Sequence, residues 1–106
     1  MPITPLPVQV TNNAAAGRYE ATFNGEIAGF AVYEELPGTV VFTHMEVDTR
    51  WGGRGVGGAL ARGALDQVVA EGKSITPLCS FMASYIRRHR GYIAHVTEAR
   101  RGEFDL

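Results

Sequence analysis

The sequence predicts an α/β domain: a mixed sheet that begins as an antiparallel meander and ends in a parallel β-α-β unit, with helices packed on it. Three observations predict it. Two β-rich runs, residues 18–23 and 26–35, are joined by Asn24-Gly25, a dipeptide suited to a tight hairpin. Further on, apolar residues recur every four positions at Val56, Leu60, Ala64 and Val68, which is a helical period. That helix lies between two apolar runs, 39–47 and 74–79, and a strand-helix-strand order implies a parallel crossover.

The elements follow in order. Val8 to Thr11 is a short apolar run after several prolines. Arg18 to Phe23 alternates polar and apolar residues, and Glu26 to Glu35 resumes after the turn. Leu36-Pro37-Gly38 marks the next turn, and Thr39 to Val47 (TVVFTHMEV) is the strongest strand signal. The helix spans residues 55 to 71, its stripe broadened by Ala59, Gly63 and Val69, and Gly72 is placed to stop it. Ser74 to Cys79 reads as a strand. Ser80 is placed to cap a second helix reaching about His89. Tyr92 to Val96 is expected to be a last strand, and residues 97–106 a polar tail.

Bulk properties narrow the function. With 106 residues, one domain is expected over the whole chain. A formal net charge of -1 argues against nucleic-acid binding through a basic face. Cys79 is the single cysteine, so an intrachain disulfide and a cysteine-clustered metal site are both excluded. No metal ligand set is expected. No stretch is long and apolar enough to span a membrane, and the first residues lack the pattern of a secretory signal. A cytoplasmic location without membrane association is expected. Oligomeric state is left open.

Residues 48–58, DTRWGGRGVGG, hold five glycines between the best strand and the best helix. A helix N-terminus presents unpaired N–H groups and partial positive charge. Glycines let an anion approach that backbone without meeting a Cβ, so a phosphate or pyrophosphate is the expected ligand. Arg50 and Arg54 add charge at the loop edge. The loop has no lysine for a P-loop. Gly53, Gly55 and Gly58 do spell a dinucleotide fingerprint, but the antiparallel strands before it and the missing acid near Leu78 give it the wrong context.

The passage VVFTHMEVDTRWGGRGVGGALARGAL resembles the acetyl-CoA signature of the GNAT N-acetyltransferase superfamily. In that family a Gln/Arg-x-x-Gly-x-Gly/Ala loop opens a helix that cradles the CoA pyrophosphate. Aligning Gly55 and Gly57 with the two glycines puts Gly52 where Gln or Arg is usual. Reading the motif from Arg50 through Gly53 to Gly55 would start the helix two residues early. Together with Pro77-Leu78-Cys79 and Tyr85-Ile86-Arg87-Arg88-His89, the passage is similar to a subfamily of very short GNAT-like proteins with a cysteine after the fifth strand. The similarity covers about residues 18 to 92.

The resemblance implies a GNAT-like fold, acetyl-CoA as co-substrate and transfer of an acetyl group to an amine. The small size favours a macromolecular acceptor, such as a protein amine. A non-catalytic CoA-binding module is the alternative. Val47, Gly52, Gly53, Arg54, Gly55, Val56, Gly57 and Gly58 would bind the cofactor. Arg88, with Arg87 and Arg90, would meet its 3′-phosphate. In the resembled fold the fourth and fifth strands splay to admit the thioester, and backbone N–H groups near Glu46 and Val47 would polarise its carbonyl. The resemblance puts Cys79 near the acetyl group, as a nucleophile or as an orienting group; a helix N-terminus favours thiolate. His44 and Glu46, two apart on one strand, share a face, and either can accept the amine proton. Tyr85 would protonate the departing thiolate, although the family's Tyr-x-x-x-Gly-Phe ending is here lengthened by two residues to Gly91-Tyr92.

Overall fold

The computed structural model describes residues 8–52 and 55–106. Five strands form one sheet in chain order: β1 (Gln9–Asn13), β2 (Arg18–Phe23), β3 (Glu26–Leu36), β4 (Thr39–Val47) and β5 (Ser74–Pro77). The first four pair antiparallel, and β4 pairs parallel with β5 across α1 (Val56–Ala70). The Asn24-Gly25 turn has positive φ at both residues, 51° and 78°, the conformation that matches the twist of two antiparallel strands. A short α2 (Ser80–Arg88) follows β5. The predicted mixed sheet is therefore observed. No helix among the described residues is long and apolar enough to cross a membrane.

The core lies between the sheet and α1. Val56, Leu60, Ala61, Ala64, Leu65 and Val68 are buried against Tyr19, Ala21, Ala31, Val40 and Phe42. Full burial of a side chain such as Leu60 or Phe42 is worth roughly 1.5–3 kcal/mol, so this one helix face carries much of the fold's stability.

A β-bulge in β4 decides which residues leave that core. Val32 faces His44 while Tyr33 faces Phe42, so Thr43 is an extra residue on β4. Strict alternation would send Val40, Phe42, His44 and Glu46 to the same face. The bulge reverses the parity. Val40 and Phe42 point into the core before it, and Met45 and Val47 pack there after it. His44 and Glu46 therefore turn away from α1.

Three local expectations are corrected. Residues 92–96 are not a strand: Arg90–His95 wind as a 3-10 helix, and Val96 alone bridges to Ile75. Tyr92 and Ile93 both pack on the core, which neighbouring residues of a strand cannot do from opposite faces. Residues 97–106, expected as a polar tail, are folded onto the domain. Glu98–Phe104 form 3-10 turns, Phe104 is buried, and Arg87 Nη1 donates to its carbonyl at 2.7 Å. Ser80 is the first residue of α2 rather than its cap. Cys79 holds the cap position, in extended conformation and without a side-chain cap bond. Elsewhere the ends shift by a residue or two, and β5 stops at Pro77, where the Leu78 amide turns back to the Thr76 carbonyl at 3.2 Å.

Candidate active site

β4 and β5 pair only from Thr39–Ser74 to Phe42–Pro77. Past that point β4 runs on to Val47, while the other chain turns through Leu78 and Cys79 into α2. The two strands thus part, leaving the β5-side edge of residues 43–47 without a partner strand among the described residues. The N-terminus of α1 and the start of α2 flank this opening.

Gly55 caps α1 with φ +79°, a left-handed conformation that a side chain strongly disfavours. Its own Cβ position is open, so backbone geometry and not crowding selects glycine there. The helix has no side-chain cap bond and no acid in its first turn. The leading N–H groups at Val56, Gly57 and Gly58 therefore have no intrahelical acceptor. This start agrees with the alignment on Gly55 and Gly57. Gly57 is needed for space: a Cβ there would stand 2.9 Å from Phe81 Cζ and 3.6 Å from Val47 Cγ2. That glycine brings α1, α2 and the end of β4 together.

From this point a groove of about 540 Å³ runs between the helices, lined by Gly55, Gly58, Ala59, Arg62, Phe81, Tyr85, Arg88 and His89. Among the described residues that line it there is no carboxylate. Tyr85 is only 6% exposed, and its hydroxyl has no hydrogen-bond partner among the described residues. Burial raises its pKa above the ordinary value. The His89 ring stacks on Tyr85 with centroids 3.9 Å apart, and His89 Nδ1 donates to the Tyr85 carbonyl at 2.9 Å.

Residues 18–96 match the GCN5-related N-acetyl-transferase family. The chain belongs to that family. Among the solved structures it is similar to the solution structure of a "GCN5-like putative N-acetyltransferase" from Staphylococcus aureus, with a TM-score of 0.61 and 16% identity over 89% of this chain and 90% of that one. At that identity the likeness shows a shared fold. Among the curated proteins no sequence relative is found.

In this GNAT chain His44 and Glu46 do share a face, with His44 Nε2 3.4 Å from Glu46 Oε2 and both side chains 59% exposed. Val47 is at the opening, paired with Gly29 on its other side. Cys79 is half-buried at the junction of β5 and α2, packed against the core. Gly52 closes a 3-10 turn and has ordinary negative φ, so its backbone does not require glycine. Gly53 and Arg54 lie outside the described residues. Arg50 does not reach into the groove to replace the missing Gln/Arg side chain. Its guanidinium is held by Asp48 and Glu26, at 3.2 and 3.9 Å. Of Arg87, Arg88 and Arg90, Arg88 alone lines the groove.

Sequence reasoning missed Phe81, Arg62 and His89. The signal was present as spacing. Gly55, Gly58, Ala59 and Arg62 fall at i, i+3, i+4 and i+7. Phe81, Tyr85, Arg88 and His89 fall at i, i+4, i+7 and i+8. Each set makes one face of a helix.

Proposed function

We propose that this protein is an acetyl-CoA-dependent N-acetyltransferase acting on an exposed amine, with a protein amine as the favoured acceptor. The observation that carries the reading is the uncapped glycine N-terminus of α1, opening beside the gap between β4 and β5. An anionic pyrophosphate suits those free N–H groups. The absence of a Cβ at Gly57, and a groove whose described lining holds no carboxylate and includes a Tyr85 hydroxyl with no partner among the described residues, are consistent with CoA lying along it.

In this reading the unpaired edge of β4 near Glu46 and Val47 supplies an N–H group to the thioester carbonyl as charge develops on its oxygen. His44 or Glu46 takes a proton from the amine on the face turned away from α1. The amine nitrogen bonds the acetyl carbon, the carbon–sulfur bond breaks, and Tyr85 returns a proton to the thiolate. Cys79 either orients the thioester or carries the acetyl group between two such exchanges. Because the face bearing His44 and Glu46 is open, a bulky acceptor can approach it.

Titrating the purified chain with acetyl-CoA, with NAD as control, tests the first half. A panel of peptides and proteins bearing free amines tests the second. Acetyl-CoA binding that is selective over NAD is expected, with transfer to an amine that Glu46→Gln reduces. Binding without any transfer would leave a CoA-binding module.

A further inference from the structure

We propose that the sheet face turned away from α1 docks a basic, extended segment of a protein, and that Glu34 meets a cation four residues from the amine presented to Glu46. That the docked segment is an acetyl acceptor rests on the reading above; the docking itself requires no acetyl-CoA.

Strand register defines the face. Tyr19 and Ala21 point into the core, so Arg18, Glu20 and Thr22 point away from it. Arg18 stands opposite Val32 and Glu20 opposite Phe30, while Val32 and Phe30 stand opposite His44 and Glu46. Ala21 pairs with Gly29 but Thr22 with Ile27, so Ala28 is an extra residue on β3 and Ile27 joins this face. Ile27, Phe30 and Val32 take no part in the core, and Ile27 is 43% exposed. An apolar strip along β3 thus lies outside the packed side of the sheet.

The charges around the strip decide what fits it. Glu20 is already compensated: Arg18 and Asn13 donate to its carboxylate, and the Arg18 guanidinium sits 4.5 Å from the centre of the Phe30 ring. Two other carboxylates are not. Glu46 faces the His44 imidazole, which is charged only when protonated. Glu34, on the same face one step along β3 from Val32, has no ion pair or side-chain hydrogen bond among the described residues. An apolar strip with an uncompensated carboxylate at each end suits a segment carrying two cations with an apolar residue between them, and it repels an acidic segment.

A cavity marks where the amine goes. It holds about 210 Å³ and is lined in part by Ile27, Phe30, Glu46 and Asp48. Arg50 already holds the Asp48 carboxylate at 3.2 Å, which leaves Glu46 to meet an ammonium. The hydrocarbon stem of a lysine suits the walls made by Ile27 and Phe30. Phe30 pairs with Glu46, and Glu34 lies four residues further along β3, about 13 Å at the usual strand rise. An extended peptide covers that distance in the same number of residues, with its middle side chain over Val32.

The test uses the full chain and two blocked synthetic peptides, with calorimetry for binding and mass spectrometry for transfer from acetyl-CoA. The first peptide has two lysines four positions apart, leucine midway and alanine elsewhere; the second has glutamate in place of one lysine. The wild-type chain is expected to prefer the first by about fivefold or more, the size of one exposed ion pair. Glu34→Lys is expected to reverse that preference and to leave acetyl-CoA affinity unchanged, which also shows that the variant is folded. A reversal cannot come from damage to the fold. No peptide binding, equal affinity for the two peptides, or a preference that Glu34→Lys leaves in place would overturn the docking surface, and acetyl-CoA binding by the same samples would leave the cofactor reading standing. A dimer in sedimentation that Glu34→Lys dissociates would also overturn it, because a second copy would then cover the face. Selective peptide binding without transfer would support the surface and overturn its link to acetylation. Binding of neither peptide nor acetyl-CoA would overturn both readings.

Discussion

The helix residue Gly57 faces Phe81 so closely that a methyl group on it would come within 2.9 Å of the ring's Cζ. Alanine is a better helix former than glycine by about 1 kcal/mol. The clash falls on the far end of a side chain that is 38% exposed and free to swing. Gly57→Ala is therefore expected to keep its melting temperature close to wild type while displacing Phe81 into the groove. Acetyl-CoA affinity should fall about tenfold, roughly 1.4 kcal/mol. Thermal melts and calorimetry on the same samples check both halves. An unchanged affinity would remove Phe81 from the binding surface.

Gly63 gives the opposite pattern. A Cβ there would lie 2.6 Å from both Cβ and Cγ2 of Val10, where α1 crosses β1. Val10 Cβ cannot rotate away, so the helix or the strand must move. Gly63→Ala is expected to cost about 1–3 kcal/mol, the usual range for overpacking, with acetyl-CoA affinity preserved. Val10→Ala should not rescue it, because the conflict includes Val10 Cβ itself. Denaturant titration of the single and double variants measures this, and a neutral Gly63→Ala would mean that β1 is loosely docked.

Acid sensitivity is expected from Glu20. Arg18 Nε and Asn13 Nδ2 donate to its carboxylate at 2.8 and 3.2 Å and hold its pKa below the ordinary value of 4.5. A group whose pKa is depressed on folding stabilises the fold above its unfolded value, and that contribution is lost as pH falls through the folded value. Stability measured from pH 7 downward should thus begin to lose this contribution near pH 4.5. Glu20→Gln should start lower at pH 7 and lose less below pH 4.5. Parallel stability curves for the two proteins would show that the Arg18–Glu20 pair contributes nothing.

Much of this architecture was legible because local chemistry and global fold agree. Asn24-Gly25 allows one kind of turn, and the four-residue apolar period of α1 has one face to bury. The bulge at Thr43 left no such mark. It depends on how β4 registers against β3, and it alone places His44 and Glu46 outside the core rather than beneath α1. The 3-10 helix at Arg90–His95 was hidden for a related reason: a short apolar run does not reveal whether Tyr92 and Ile93 must face the same way. In the site, the glycine loop was readable because it departs from ordinary composition. Arg62 was not, because an exposed arginine on a helix looks like any solvated position until α2 is placed beside it.

Cys79 carries the sharpest prediction about chemistry. Its backbone is fully engaged: the amide donates to Phe42, and the carbonyl accepts from Ala83 at 3.1 Å. Neither bond depends on the thiol, so Cys79→Ala should leave the β5–α2 junction intact. Acetyl-CoA binding should stay within about threefold of wild type, under 1 kcal/mol. If the thiol acts on the acetyl group, transfer should fall about a hundredfold or more, in the range of a lost catalytic group. Intact mass spectrometry after exposure to acetyl-CoA alone separates the two roles. An added acetyl mass that disappears in Cys79→Ala marks a covalent carrier, and lost transfer without any adduct marks an orienting thiol. Wild-type transfer by Cys79→Ala would reduce the residue to a small, half-buried packing group and move the chemistry to Glu46, His44 and Tyr85.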